Sequence, residues 1–196
     1  MVELLVEPIG WERAIMAAEK VKERLRRATR ALDAAGVLYV VIGGNAVAEW
    51  VGRIDEDAVR TTRDVDLLLE RNALPAARAA LESVGFIYHQ LLEIDLFVDG
   101  PQGKPSGGVH ILYAGEKVRP DDEHELPRLD QSERGAEFQV ANLEALLRMK
   151  LIANRLKDRV HLLDMIGVGL IDATWPARFP PPLDERLQQL LDDPNG

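Results

Sequence analysis

A chain of 196 residues with 46 % hydrophobic and 29 % charged side chains is long enough for one domain, or one and a small annex, and has a composition that buries a core rather than staying disordered. It has no cysteine, which excludes a disulfide scaffold, thiolate zinc, iron–sulfur ligation and a thiol nucleophile, and makes the cytoplasm the expected compartment. Acidic residues outnumber basic ones 33 to 24, for a net charge of −9, so binding to duplex DNA through neutralised phosphates is not expected. The longest apolar stretches, such as Val37 to Gly44, fall far short of the roughly 20 residues of a membrane helix. Glu3 and Glu7 interrupt the N-terminal apolar residues, unlike an export signal with its basic start and long apolar run.

In chain order, Ala14, Ala18, Val21, Leu25, Ala28 and Leu32 recur at steps of four and three, which predicts an amphipathic helix from Trp11 to Ala35, stopped by Gly36. Its other faces carry Lys20, Lys22, Arg24, Arg26, Arg27 and Arg30, a basic surface open to RNA or an acidic partner, or simply solvated. Val37 to Ile42 is a short β-branched run ended by Gly43-Gly44, a buried strand entering a tight turn. A helix follows over Asn45 to Val51. From Arg60 to Glu70 a strand is expected in which Asp64 and Asp66 share one face while Val65, Leu67 and Leu69 share the other. Leu74 to Val84 is an alanine-rich helix closed by Gly85, followed by strands at Phe86 to Tyr88, Ile94 to Val98 and Val109 to Tyr113, with a Gly/Pro loop from Gly100 to Gly108. Pro120 to Gly135 reads as irregular.

Leu143 to Ile166 contains no glycine or proline and predicts one long helix. On it Lys150, Asn154, Lys157, His161 and Asp164 share a polar edge, beside an apolar arc of Met149, Ile152, Ala153, Leu156, Val160 and Leu163. Trp175 to Pro182 reads as a proline-rich connection, and Leu183 to Leu191 as a short acidic helix. The expected division is a core over residues 1–140, including the N-terminal helix, and a C-terminal helical region and tail over residues 141–196.

Two carboxylates two residues apart on a strand lie about 7 Å from each other, near enough to bracket hard divalent cations that also bind nucleotide phosphates. A glycine turn lets backbone N–H groups approach a phosphate, helped by the helix N-terminus after it. Gly43-Gly44, a helix and then Thr62-Arg63-Asp64-Val65-Asp66-Leu67-Leu68 in this order resemble the nucleotidyltransferase superfamily, whose signature is a Gly-Gly or Gly-Ser turn followed by an hDhDh strand. The segment from Met149 to Asp164, with Lys150, Arg155, Lys157 and Asp158, resembles the "K…R.KD..D" helix of AbiEii-type toxins and related bacterial nucleotidyltransferases. The resemblance runs from about Val37 to Asp172.

It implies an α/β (α+β) fold, a nucleotidyltransferase-type mixed sheet flanked by helices with a C-terminal helical region. It also implies transfer of a nucleoside monophosphate from an NTP to a hydroxyl, on an RNA or tRNA end or on a protein, within a toxin–antitoxin pair. By the same resemblance, Asp64 and Asp66 bind Mg²⁺ or Mn²⁺. Gly43 and Gly44 hold phosphate, with Asn45 and Arg63 beside them. Lys150, Arg155 and Lys157 contact the triphosphate or stabilise charge, and Asp158 orients that basic cluster. Partners implied are the NTP, an acceptor RNA or protein and a cognate antitoxin or operon partner.

The family presents a third acid on a following strand, where this chain has His110; Asp95 on the preceding strand is the alternative third group. A neutral imidazole at that place serves as base or weak ligand, whereas Mg²⁺ prefers oxygen. The rival expectation is therefore a catalytically degenerate nucleotide-binding or interaction protein on the same fold. The Lys150 to Arg159 cluster reads alternatively as a salt-bridged surface, and His161 as a bridging residue. His89 and His124 have no ligand spacing, and Trp11, Trp50 and Trp175 are too scattered to form a base-stacking platform.

Overall fold

The computed structural model describes residues 10–92, 94–118 and 124–194; the N-terminal stretch read for an export signal and the start of the segment from Pro120 lie outside them. The stripe of small and apolar residues forms α1 (Trp11–Ala34), with Val21, Leu25, Ala28 and Leu32 buried, and Gly36 leaves the helix at φ +67°, a conformation that costs a side-chain-bearing residue about 1–2 kcal/mol. β1 (Val40–Ile42) runs directly into α2 (Gly43–Gly52). Hence the glycine pair is the first turn of the helix rather than a linker before it.

β2 (Val65–Leu69) follows, then α3 (Leu74–Ser83), the hairpin β3 (Phe86–Leu91) and β4 (Ile94–Asp99), and β5 (Val109–Tyr113). Of two short strands, β6 (Ser132–Arg134) lies in the segment expected to be irregular and β7 (Gln139–Ala141) just beyond it. Three-residue strands carry no periodicity of their own; β7 exists because Val140 pairs in parallel with Val41 of β1, and β6 because it pairs back on β7. The seven strands are ordered β3-β4-β5-β2-β1-β7-β6. β1 is antiparallel to β2, and β2 is parallel to β5, so the end of β1 and the starts of β2 and β5 meet at one end of these central strands.

The expected single helix over Leu143 to Ile166 is two helices, α4 (Leu143–Ala153) and α5 (Leu156–Gly167). Asn142 caps α4 by accepting from the Ala145 N–H at 2.9 Å. Asn154 closes α4 in the left-handed region at φ 44°, which asparagine tolerates better than most residues. A last helix, α6 (Leu183–Asp192), presents Leu183, Leu187 and Leu190 to the core.

α1 and α3 pack together over the sheet face that carries Phe86, Tyr88 and Phe97: Arg27 of α1 lies over the Phe86 ring and Arg78 of α3 over Tyr88. α2, α4 and α5 pack on one another, and α2 supplies the glycine turn beside Asp66. One hydrophobic core joins both regions expected from the sequence: it takes in Val40, Val41 and Leu67 of the sheet and Leu146, Leu151, Leu162 and Leu187 of the C-terminal helices. The 140/141 boundary falls inside β7. Among the described residues no helix is long and apolar enough to cross a membrane.

Candidate active site

Cross-strand register decides which side chains converge. Asp66 of β2 pairs with Ile42 of β1 and His110 of β5, and directly paired residues point to the same face of a sheet. Asp64 immediately precedes β2 and joins them: an oxygen of Asp64, an oxygen of Asp66 and a ring nitrogen of His110 all lie within 4.8 Å of one another. His110 Nδ1 is 3.4 Å from Asp66 Oδ1 and 3.9 Å from Asp64 Oδ2. Its Nε2 is 2.8 Å from the Pro105 carbonyl, and because a carbonyl only accepts, Nε2 carries the hydrogen.

Asp95 is the exception among the expected groups. It pairs with Ile111, whereas its neighbour Leu96 pairs with His110, so alternation turns Asp95 to the opposite face. There it is 2 % exposed and accepts hydrogen bonds from the Tyr88 and Tyr113 hydroxyls. Burial, then the adjoining Asp95, pushes the Tyr113 hydroxyl well above its usual range, which keeps both tyrosines as donors. Asp95 is thus a hydrogen-bonded core residue, and the place of the third group beside Asp64 and Asp66 falls to His110.

The glycine pair is required by space. Gly43 has φ +70°, and a Cβ there would lie 2.0 Å from Asp66 Oδ2; a Cβ on Gly44 would meet Thr62 at 2.9 Å. The first turn of α2 therefore runs against the side chains of the acidic strand, with its amide groups at a helix N-terminus suited to an anion. Gly43→Ala is expected to cost about 2 kcal/mol in backbone strain alone and to push the Asp66 carboxylate out of position. A fall in the thermal midpoint together with weaker divalent-cation binding checks it.

Supporting contacts include residues that sequence motifs did not single out. Thr62 Oγ1 donates to Asp64 Oδ1 at 2.8 Å. Asn45 Nδ2 donates to the Asp64 carbonyl at 2.8 Å, so its amide steadies the acidic strand. Arg63 is exposed, while its carbonyl accepts from Arg24 Nη1 at 3.2 Å, and Arg24 Nε also reaches Asp99 at 3.2 Å. Arg60 clamps Asp164 of α5 at 2.7 Å. No spacing rule in the sequence links Arg24 to Arg63; only the docking of α1 does.

The break at Asn154 brings the basic cluster together. Lys150 of α4, 5 % exposed, lies 3.0 Å from Asp158 of α5, which is fully buried. Arg155 grips the same carboxylate at 2.6 Å. Burial pushes the Asp158 carboxyl up, but Arg155 and Lys150 together outweigh it and hold it below the usual range. Burial pulls the Lys150 ammonium below its usual value, with Asp158 and Asp66 opposing. Arg155 is raised by Asp158 first, with the charges of Asp66 and Asp64 adding, and its side chain is 59 % exposed, so a cation tied to Asp158 but open to solvent feels both acids. Lys157 is exposed on the first turn of α5.

Sequence periodicity put His161 on a polar edge shared with Lys150; with the helix broken, it instead sits among the charges of Lys150, Asp158 and Asp164, its Nδ1 buried and without a hydrogen-bond partner. Burial lowers it to about 4, Lys150 adding to the effect and Asp158 and Asp164 opposing. The unfolded chain protonates near the ordinary value of 6.5, so stability is complete above that pH and falls as pH drops toward 4. With part of the ring exposed, the loss is on the order of 1–2 kcal/mol. Urea midpoints at pH 7 and pH 5 should therefore differ less in His161→Gln than in the native protein.

Neither a protein-family model nor a curated protein sequence matches this chain. Solved structures do. ANT(2″)-Ia in complex with adenylyl-2″-tobramycin is 15 % identical with a TM-score of 0.56, over 91 % of this chain and 99 % of that one. The solution structure of the same antibiotic-resistance factor is 17 % identical with a TM-score of 0.51, over 88 % and 83 %. A Helicobacter pylori protein assigned as a nucleotidyltransferase is 14 % identical with a TM-score of 0.50, over 91 % and 78 %. The chain has the nucleotidyltransferase fold. On this nucleotidyltransferase fold Asp64, Asp66 and His110 stand at one end of the central strands, near the α2 N-terminus and the α4–α5 cations.

Proposed function

We propose that the protein transfers a nucleoside monophosphate from an NTP to a hydroxyl acceptor with a divalent cation, Mg²⁺ or Mn²⁺, held at Asp64, Asp66 and His110. The observation that carries this is the meeting of that donor set with the Gly43-Gly44 helix start and the Arg155 and Lys150 cations. The donors fit a cation: two carboxylate oxygens and a ring nitrogen converge, and the ring's other nitrogen is tied to a carbonyl. A bound ion would screen the two carboxylates, polarise the phosphate oxygens and lower the pKa of the attacking hydroxyl.

The chain's own groups do the rest. Amide groups of Gly43, Gly44 and Asn45 meet phosphate oxygens. Arg155, exposed beside the acids, takes charge developing on the leaving pyrophosphate, and buried Lys150 adds a fixed positive field. Asp158 orients both cations. The acceptor hydroxyl gives its proton to solvent as its oxygen bonds to the α-phosphorus, the bridge to the β-phosphate breaks and pyrophosphate leaves.

Acceptor classes are an RNA 3′ end, a protein side chain and, by likeness to ANT(2″)-Ia and its adenylylated aminoglycoside, a small-molecule hydroxyl. The net charge of −9 favours the last two. For a protein acceptor, a cognate antitoxin or operon partner is the first to assay.

Incubation with each α-labelled NTP, Mg²⁺ or Mn²⁺, and tRNA, candidate partner protein or aminoglycoside is expected to give label transfer with stoichiometric pyrophosphate. Nucleotide binding without pyrophosphate release on any acceptor would instead support the degenerate binding protein.

A further inference from the structure

We infer that His110 makes this a mixed nitrogen–oxygen cation site that takes a transition ion such as Co²⁺ or Mn²⁺ in preference to Mg²⁺. The inference rests on the proposed cation site and concerns which ions it selects. Two features of His110 support it.

The first is tautomeric. The Pro105 carbonyl accepts from Nε2 at 2.8 Å, so the lone pair of a neutral ring is on Nδ1, and Nδ1 is the nitrogen turned to the acids. The tautomer is built in by the loop before β5. Pro105 to Gly107 forms one tight turn, and the Gly108 N–H returns to the Pro105 carbonyl at 3.0 Å. A Cβ on Gly108 would lie 2.7 Å from the Phe97 carbonyl and 3.3 Å from that of Pro105. Glycine at 108 thus allows the Pro105 carbonyl to approach the histidine two residues on, the kind of outer contact that fixes a ligating imidazole.

The second is spacing. Separations of 3.4 and 3.9 Å from Nδ1 to the two carboxylates suit donors that each bind one ion at about 2.0–2.2 Å. A general base would instead need its lone pair directed at a hydroxyl outside the ligand set. The His110 backbone is held by strands on both sides, paired with Asp66 and with Leu96, and its ring by the Pro105 carbonyl, which together keep Nδ1 turned to the acids.

Donor chemistry then sets the order. Mg²⁺ demands oxygen in near-octahedral array, whereas imidazole suits later first-row ions, whose affinity rises from Mn²⁺ through Co²⁺. An aspartate at 110 would restore three oxygens and the preference for Mg²⁺.

The test is binding, read on the purified full chain without nucleotide. Calorimetric titration with Mg²⁺, Mn²⁺ and Co²⁺ is combined with pulsed electron paramagnetic resonance of the Mn²⁺ form. Expected results are Co²⁺ bound at least about 30-fold more tightly than Mg²⁺ and a ¹⁴N modulation on bound Mn²⁺. The modulation should vanish in His110→Gln and His110→Asp, and His110→Asp should shrink the Co²⁺/Mg²⁺ ratio by about tenfold or more.

Mn²⁺ bound without ¹⁴N coupling overturns the inference, as does a ratio unchanged in His110→Asp. If the ion is lost in Asp66→Asn but shows no nitrogen, only the part of His110 fails. If no ion binds the native protein, the cation site itself fails with it. Should His110→Asp fail to fold, the native ¹⁴N signal decides alone.

Discussion

Asp66→Asn is expected to lower metal-dependent transfer by about 10³-fold or more, roughly 4 kcal/mol of transition-state stabilisation, with the fold kept. The amide has the carboxylate's shape, so it still fits against Gly43, where a Cβ would come within 2.0 Å of the carboxylate oxygen. What it loses is charge and one anionic donor. Among the described residues no lysine or arginine forms an ion pair with Asp66; the His110 ring lies 3.4 Å away, and Asp64 stands nearby as a like charge. Removing one of two neighbouring negative charges therefore costs the metal-free protein little. Urea midpoints should stay within about 1 kcal/mol of native, while pyrophosphate release disappears. Activity retained to within tenfold would move the site elsewhere.

Asp158→Ala is expected to have the largest effect on stability, about 3–5 kcal/mol, because it leaves Lys150 buried without its counter-charge. The side chains of Lys150 and Asp158 are 7 % and 1 % exposed, so water does not replace the lost partner. Arg155, largely exposed, loses less and turns to solvent. Replacing the pair together, as Lys150→Met with Asp158→Leu, should recover most of the loss, since a well-packed apolar pair avoids the cost of desolvating two ions. Chemical denaturation of the two singles and the double gives the coupling energy directly. A single-variant cost below 1 kcal/mol would mean that α5 moves to expose Lys150.

Much of this architecture was legible from residue order because local pattern and tertiary demand agree. α1 ends one residue short of the predicted end, β5 matches Val109 to Tyr113, and the period of two correctly places Asp64 and Asp66 on one face. Where the two levels part, sequence falls short. Nothing around Asn154 resembles a breaker of the Gly or Pro kind, yet docking Asp158 on Lys150 requires one. On a continuous helix eight residues span about 12 Å along the axis, whereas the two charged groups are 3.0 Å apart.

The third member of the acidic site was also undecidable from spacing, since Asp95 and His110 are both on strands. The register Leu96 to His110 and Asp95 to Ile111 settles their faces, and register is a property of the assembled sheet. Contacts such as Arg24 to Arg63 and Pro105 to His110 leave no trace in either pattern.

The strict alternation along β2 also constrains how this gene can drift. Between Thr62 and Leu69 only Arg63 is exposed, and a single inserted or deleted codon would rotate the strand by half a period, carrying Asp66 to the face of Leu67 and Leu67 to that of Asp66. Such an indel would extinguish chemistry and folding in one event. In any lineage that keeps this protein at work, the segment should be constant in length, with Arg63 its most freely exchanged position.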